Sequence, residues 1–105
     1  MTSEFVHLHN HSDYSLLDGA QRVDQLVNTI DDLNMDSLAL TEHGNMFSVI
    51  PFYKNAKKQG IKPIIGCETY VAVGSRHDKK QIAGGGWGNN HLILLAQNQT
   101  GYQNL

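Results

Sequence analysis

The stretch SLALTEHGNMFSVIPFYKNAKKQGIKPIIGCETYVAV, Ser37 to Val73, decides the fold. It opens with a compact apolar run of strand length, Ser37 to Thr41, followed at once by the polar residues Glu42, His43, Gly44 and Asn45. Val49, Ile50, Tyr53 and Ala56 then fall on one helical face, and Gly60 is a helix stop signal. Pro51 is tolerable only in a first turn, so this helix is expected to start no earlier than about Phe47. Lys62 to Val73 reads as the next strand, with a break expected near Gly66. Strand, helix, strand is the repeating unit of a parallel α/β sheet.

Working outward, the same alternation continues. Upstream, Val23, Leu26, Val27, Ile30 and Leu33 share one face of a helix that closes near Asn34. Before it, Phe5 to His9 reads as a short strand that runs into a polar loop ending at Gly19. Downstream, Gly74 to Asn90 is a polar, glycine-rich excursion containing GGGWG. That run lacks the Lys-Ser/Thr and the following helix of a phosphate loop. His91 to Asn98 is expected as a fourth strand, and TGYQNL as the start of a further helix.

Bulk properties narrow the function. The 105 residues make one small domain or a piece of a larger one. With 40% hydrophobic and 17% charged residues the chain has an ordinary globular composition. A formal charge of −2 argues against nucleic-acid binding by charge alone, although bound cations would supply a positive field for a phosphate. The single Cys67 excludes an internal disulfide and suits a reducing compartment. There is no apolar run of membrane-spanning length, and the start MTSEFVHLHN has no signal-peptide pattern, so a cytoplasmic location and no membrane partner are expected.

Chemistry-bearing residues gather where such folds bind ligands, beyond the carboxyl ends of strands. His9 and His11 follow the first strand, Glu42 and His43 the second, and Glu68 follows PIIG in the third. Asp18 can bridge back from its loop, with Gly19 allowing the turn. His91 opens its strand and fits this argument least well. Imidazoles and carboxylates together are a donor set for zinc, manganese or iron. Other residues have plainer readings. His7 is a packing residue or a donor behind the ligands, and His77 is a solvated loop residue. Cys67 is a small core residue, and Lys54, Lys57 and Lys58 are a solvated helix face first and a phosphate contact second.

Four motifs in order, HLHNHSDYSLLDG, LALTEHGNM, FYKNAKKQGIKPIIGCETYV and HLILLAQNQTGYQNL, resemble the PHP (polymerase and histidinol phosphatase) domain that opens the alpha subunit of bacterial DNA polymerase III. The resemblance covers nearly the whole chain and is weakest between Gly74 and Asn90. It implies a distorted seven-stranded α/β barrel, of which this chain would supply the first three to four strands with their helices. The ligands it implies are His9, His11, Asp18, His43, Glu68 and His91, holding divalent ions, up to three in a complete site. His7 stands where such domains often carry Asp. Further ligands, including an Asp-x-His pair, would come from later strands. Residues 1–105 are therefore expected to be an N-terminal fragment with weakly held ions and little turnover, prone to self-association through an open sheet edge.

The function implied is that of a segment of a replicative polymerase, with a metal-dependent phosphoesterase or 3′–5′ exonuclease-type site. Its partners would be DNA, the other replication subunits and a proofreading exonuclease subunit. Two alternatives stand beside it: a free-standing phosphoesterase of the histidinol phosphatase kind, and a scaffold that docks a proofreading partner.

Overall fold

The computed structural model describes residues 4–78 and 89–105. In chain order the elements are α1 (Val23–Asp32), β1 (Ser37–His43), α2 (Val49–Gln59), β2 (Lys62–Ala72), β3 (Asn89–Leu95) and α3 (Gln99–Asn104). The three strands form one sheet in the order β1-β2-β3. β1 and β2 are parallel from Ser37↔Lys62 to His43↔Glu68, while β3 runs antiparallel to β2, with Tyr70 opposite His91. The α/β class is thus present as a mixed sheet rather than the expected all-parallel one. Most of the GGGWG excursion, including the run itself, lies outside the described residues.

Both long helices pack on one face of the sheet. Leu38 and Leu40 of β1 meet Val23, Leu26, Val27 and Ile30 of α1, Phe52 and Ala56 of α2, and the linker residues Met35 and Ile61 in one core. Each helix ends in the same device. Asn34 (φ 55°) and Gly60 (φ 75°) turn left-handed. The next residue then reaches back, Met35 N–H to Ile30 O and Ile61 N–H to Ala56 O, so the last carbonyls are satisfied while Met35 and Ile61 enter the core. In α2 the buried face is Val49, Phe52 and Ala56. Ile50 and Tyr53, expected on that face, are about half exposed and line a groove of about 260 Å³ with Pro63, Ile65, Ala96 and Tyr102.

Two expected strands come out differently. Lys62–Ala72 is continuous, because Gly66 is where pairing to β1 and to β3 overlaps. Phe5 to His9 makes no ladder. Ala39 N–H bonds to His7 O and Thr41 N–H to Asn10 O, so the segment advances three residues while β1 advances two. The register slips, yet the segment still lines β1's outer edge. Asn10 fastens it there, its N–H on Thr41 Oγ1 and its Nδ2 on Ala39 O. No helix among the described residues is long and apolar enough to cross a membrane.

Candidate metal centre

Strand alternation sorts β1 into two faces. Leu38 and Leu40 look into the helical core, so His43 emerges on the opposite face of the sheet. The register His43↔Glu68 puts those two side chains side by side at the point where the parallel pairing stops. Because β3 is antiparallel, its first residues lie beside the distal end of β2, and His91 arrives there by pairing with Tyr70. The direction of β3 resolves the awkward placement of His91 in the sequence.

Glu68 is the hub. Its side chain is 8% exposed, with His9 Nε2 at 2.9 Å from Oε1, and with His11 Nε2, His43 Nδ1 and His91 Nδ1 at 3.2, 3.4 and 3.7 Å from Oε2. Asp18 closes the group from its loop, Oδ2 lying 2.6 Å from His43 Nδ1 and 3.1 Å from His11 Nδ1. All six residues singled out in the sequence therefore meet in one place. His11, Asp18, His43 and Glu68 form its tightest part, each offering an atom within 4.8 Å of the others. His7 stands aside, its ring against Phe5 at 4.8 Å. His77 is exposed, as are Lys54, Lys57 and Lys58.

The electrostatics follow from these contacts. The hydrogen bond to His43 holds the Asp18 carboxyl below its usual 3.8, against the opposing effect of burial. The same bond raises His43 above 6.5, again with burial opposing. Cys67 takes the core side of β2, its thiol donating to Asn45 O at 3.4 Å, and burial pushes its pKa up. It is the small core residue the sequence suggested, not a ligand.

The residues fit a divalent cation. His11 Nε2 is buried and makes no hydrogen bond among the described residues, although it lies 3.2 Å from a carboxylate oxygen. A ring nitrogen so placed has its lone pair or proton turned toward the acid cluster without satisfaction, which a shared cation would supply.

The loop from residue 12 to 19 shows what sequence reading missed. Glu42 is 1% exposed and accepts hydrogen bonds from Ser12 N–H, Ser12 Oγ and Ser15 Oγ. The signal was available: Leu38, Leu40 and Glu42 share one strand face, so an acid occupies a core register position. Gly19 also has a stricter task than turning the chain, because a Cβ there would stand 1.8 Å from Ser12 O. Tyr70 is a further neighbour, its ring 5.3 Å from that of His43 and 5.2 Å from that of His91.

Comparison with known proteins identifies relatives of the chain. A family model described as PHP domain matches residues 7–105. The chain is similar to DNA polymerase III subunit alpha of Borreliella burgdorferi, 55% identical over 103 residues, which is 98% of this chain and 9% of that protein. The alpha subunit of Treponema pallidum is 54% identical over 96% of the chain and 8% of its own length. That of Thermus aquaticus is 48% identical over 97% of the chain and 8% of its length. The chain thus spans less than a tenth of each of these relatives. With its ordered motifs, its clustered imidazoles and carboxylates, and a family match across nearly its full length, the chain belongs to the PHP domain family.

Proposed function

We propose that this chain is the PHP segment of a replicative polymerase alpha subunit, and that His9, His11, Asp18, His43, Glu68 and His91 hold divalent ions for phosphodiester hydrolysis at a DNA 3′ end. The observation that carries the reading is Glu68, a buried carboxylate approached by four imidazoles and neighboured by Asp18. Zinc, manganese and iron all suit such donors. In a barrel-type PHP fold this three-stranded sheet would be one sector of the wall, with later strands adding ligands. DNA and other polymerase subunits are the partners that the relatives' name suggests, and a proofreading exonuclease subunit and a cytoplasmic location belong to the same proposal.

Charge argues that cations belong here. Two carboxylates, Asp18 and Glu68, face the place where a phosphodiester would sit, and anion would repel anion. Bound divalent ions would reverse that field and supply a hydroxide nucleophile by lowering the pKa of a coordinated water. The chain's own residues do the rest. Glu68 and Asp18 orient the imidazole rings, and the exposed sides of His9 and His91 leave the cluster open to a polymer end.

The test is elemental mass spectrometry on untagged protein, with His9→Ala plus His11→Ala as the comparison. Zinc, manganese or iron bound above the buffer blank that falls in the double variant is the expected result, below stoichiometric if the ions are held as weakly as a partial ligand set implies. A wild-type chain that takes up no metal overturns the reading. A 3′-labelled oligonucleotide assay on metal-loaded protein then separates a hydrolytic site from a metal-bearing scaffold.

A further inference from the structure

We infer that Glu42, which lies outside the ligand set, is the positioning residue of this centre: its buried carboxylate locks the loop from Ser12 to Gly19 so that Asp18 is delivered to His43 and His11. The inference rests on the metal reading above for its consequence but not for its geometry.

Glu42 sits on the core face of β1, and among the described residues no cationic side chain pairs with it. Its donors are Ser12 N–H at 2.6 Å and Ser15 Oγ at 2.9 Å on Oε1, and Ser12 Oγ on Oε2. A buried carboxylate is costly unless such bonds hold it, and a well-packed apolar residue fills a core position at less cost. All three donors belong to the one loop that carries Asp18. Ser15 makes the connection. Its Oγ donates to Glu42 and accepts from His43 N–H at 2.9 Å, and its carbonyl accepts from Asp18 N–H and Gly19 N–H at 3.1 and 2.8 Å. One serine therefore joins the buried acid to both members of the Asp18–His43 pair.

The two leucines of this loop do not fasten it instead. Leu16 and Leu17, immediately before Asp18, are 89% and 102% exposed. Without the carboxylate the loop loses its buried anchor, and the conformational entropy of its backbone then opposes a single ordered position. Asp18, itself exposed, would then sample many positions away from His43.

Glu42→Gln keeps the length of the side chain but replaces one of the two accepting carboxylate oxygens with an amide nitrogen that cannot accept from Ser12 or Ser15. Two readouts decide the matter. In the chelator-treated chain, the nuclear Overhauser contact between the His43 ring and the Asp18 β protons is expected in the wild type and lost in Glu42→Gln. In the cobalt(II) titration, Glu42→Gln is expected to weaken binding about 10–100-fold and to give the visible spectrum of Asp18→Ala. It should cause no further loss when combined with Asp18→Ala. A retained Overhauser contact, or a cobalt loss that adds to that of Asp18→Ala, overturns the inference. If the wild type takes up no cobalt, the metal reading falls and the Overhauser contact alone decides the positioning role. If Glu42→Gln fails to fold, Ser15→Ala is judged by the same readouts, since it cuts the connection and leaves Glu42 its two bonds from Ser12.

Discussion

Asp18 and His43 illustrate how two ordinary residues acquire matched shifts. Each lies in the other's hydrogen-bond reach at 2.6 Å, so the carboxyl falls below 3.8 and the imidazole rises above 6.5. For Asp18 the contribution to stability is complete above 3.8 and is lost as pH falls through its lowered folded value. For His43 it is complete below 6.5 and is lost as pH rises through its raised folded value. Both are in full force only between those two values. In metal-free protein at low salt, the urea midpoint of the wild type should exceed that of Asp18→Asn most clearly from about pH 4 to 6.5. The gap should close on either side. It will be small, because the pair is partly exposed. A gap independent of pH from 3 to 8 would show that the two groups are not paired in solution. His9, His11, His43 and Glu68 were legible as ionisable side chains at the ends of predicted strands, whereas Asp18 lies in a loop and His91 opens its strand, so the set of six came together only through the family motifs. The task of Glu42 was not legible, since its hydrogen bonds run to serines about 30 positions away, a pairing that sequence spacing does not reveal.

At the scale of elements, helix ends were easier to read than strand directions. Gly60 was legible as a stop because few residues accept φ of 75° without strain, and Asn34 at 55° performs the same task one helix earlier. The cost of a side chain at Gly60 can be isolated, because an added Cβ would meet nothing within 4 Å. Gly60→Ala should therefore lower stability by about 1–2 kcal/mol through backbone conformation alone. Asn34→Gly, which removes a Cβ from a left-handed position, should be neutral or slightly stabilising. Chemical denaturation of both variants checks the contrast, and an unaffected Gly60→Ala chain would contradict the left-handed cap. Strand direction left no such mark. HLILLAQN is an apolar run whose composition is the same whichever way it pairs, so β3 was expected parallel and is antiparallel. Phe52 was likewise missed in α2: Val49, Phe52 and Ala56 form the buried stripe, while Ile50 and Tyr53 turn to the groove.

At the scale of the whole molecule, the sheet is covered unevenly. α1 and α2 cover β1 and much of β2, and residues 7–10 line β1's outer edge. On the other side, β3 has no strand beyond it among the described residues, and Leu92, Leu94 and Leu95 are 48%, 40% and 40% exposed. Tyr70 and Val71 of the neighbouring strand are also 54% and 40% exposed, one on each face of the sheet. An edge with unpaired backbone groups and apolar side chains is a template for another strand, and natural sheets guard such edges with lysine or proline. β3 contains neither. Purified chain should therefore gain mass with concentration in light scattering coupled to size exclusion. Leu92→Lys, at the most exposed of the three leucines, should return it toward the monomer without loss of helical circular dichroism. Thr69 Oγ1 bonds to the carbonyl of Leu92 rather than to its side chain, so the substitution leaves that contact in place. A wild-type chain that stays monomeric at every concentration would mean that the β3 edge is protected in solution. Association unchanged by Leu92→Lys would instead place the contact elsewhere, and the groove between α2 and α3 would be the next surface to substitute, beginning with Ile50.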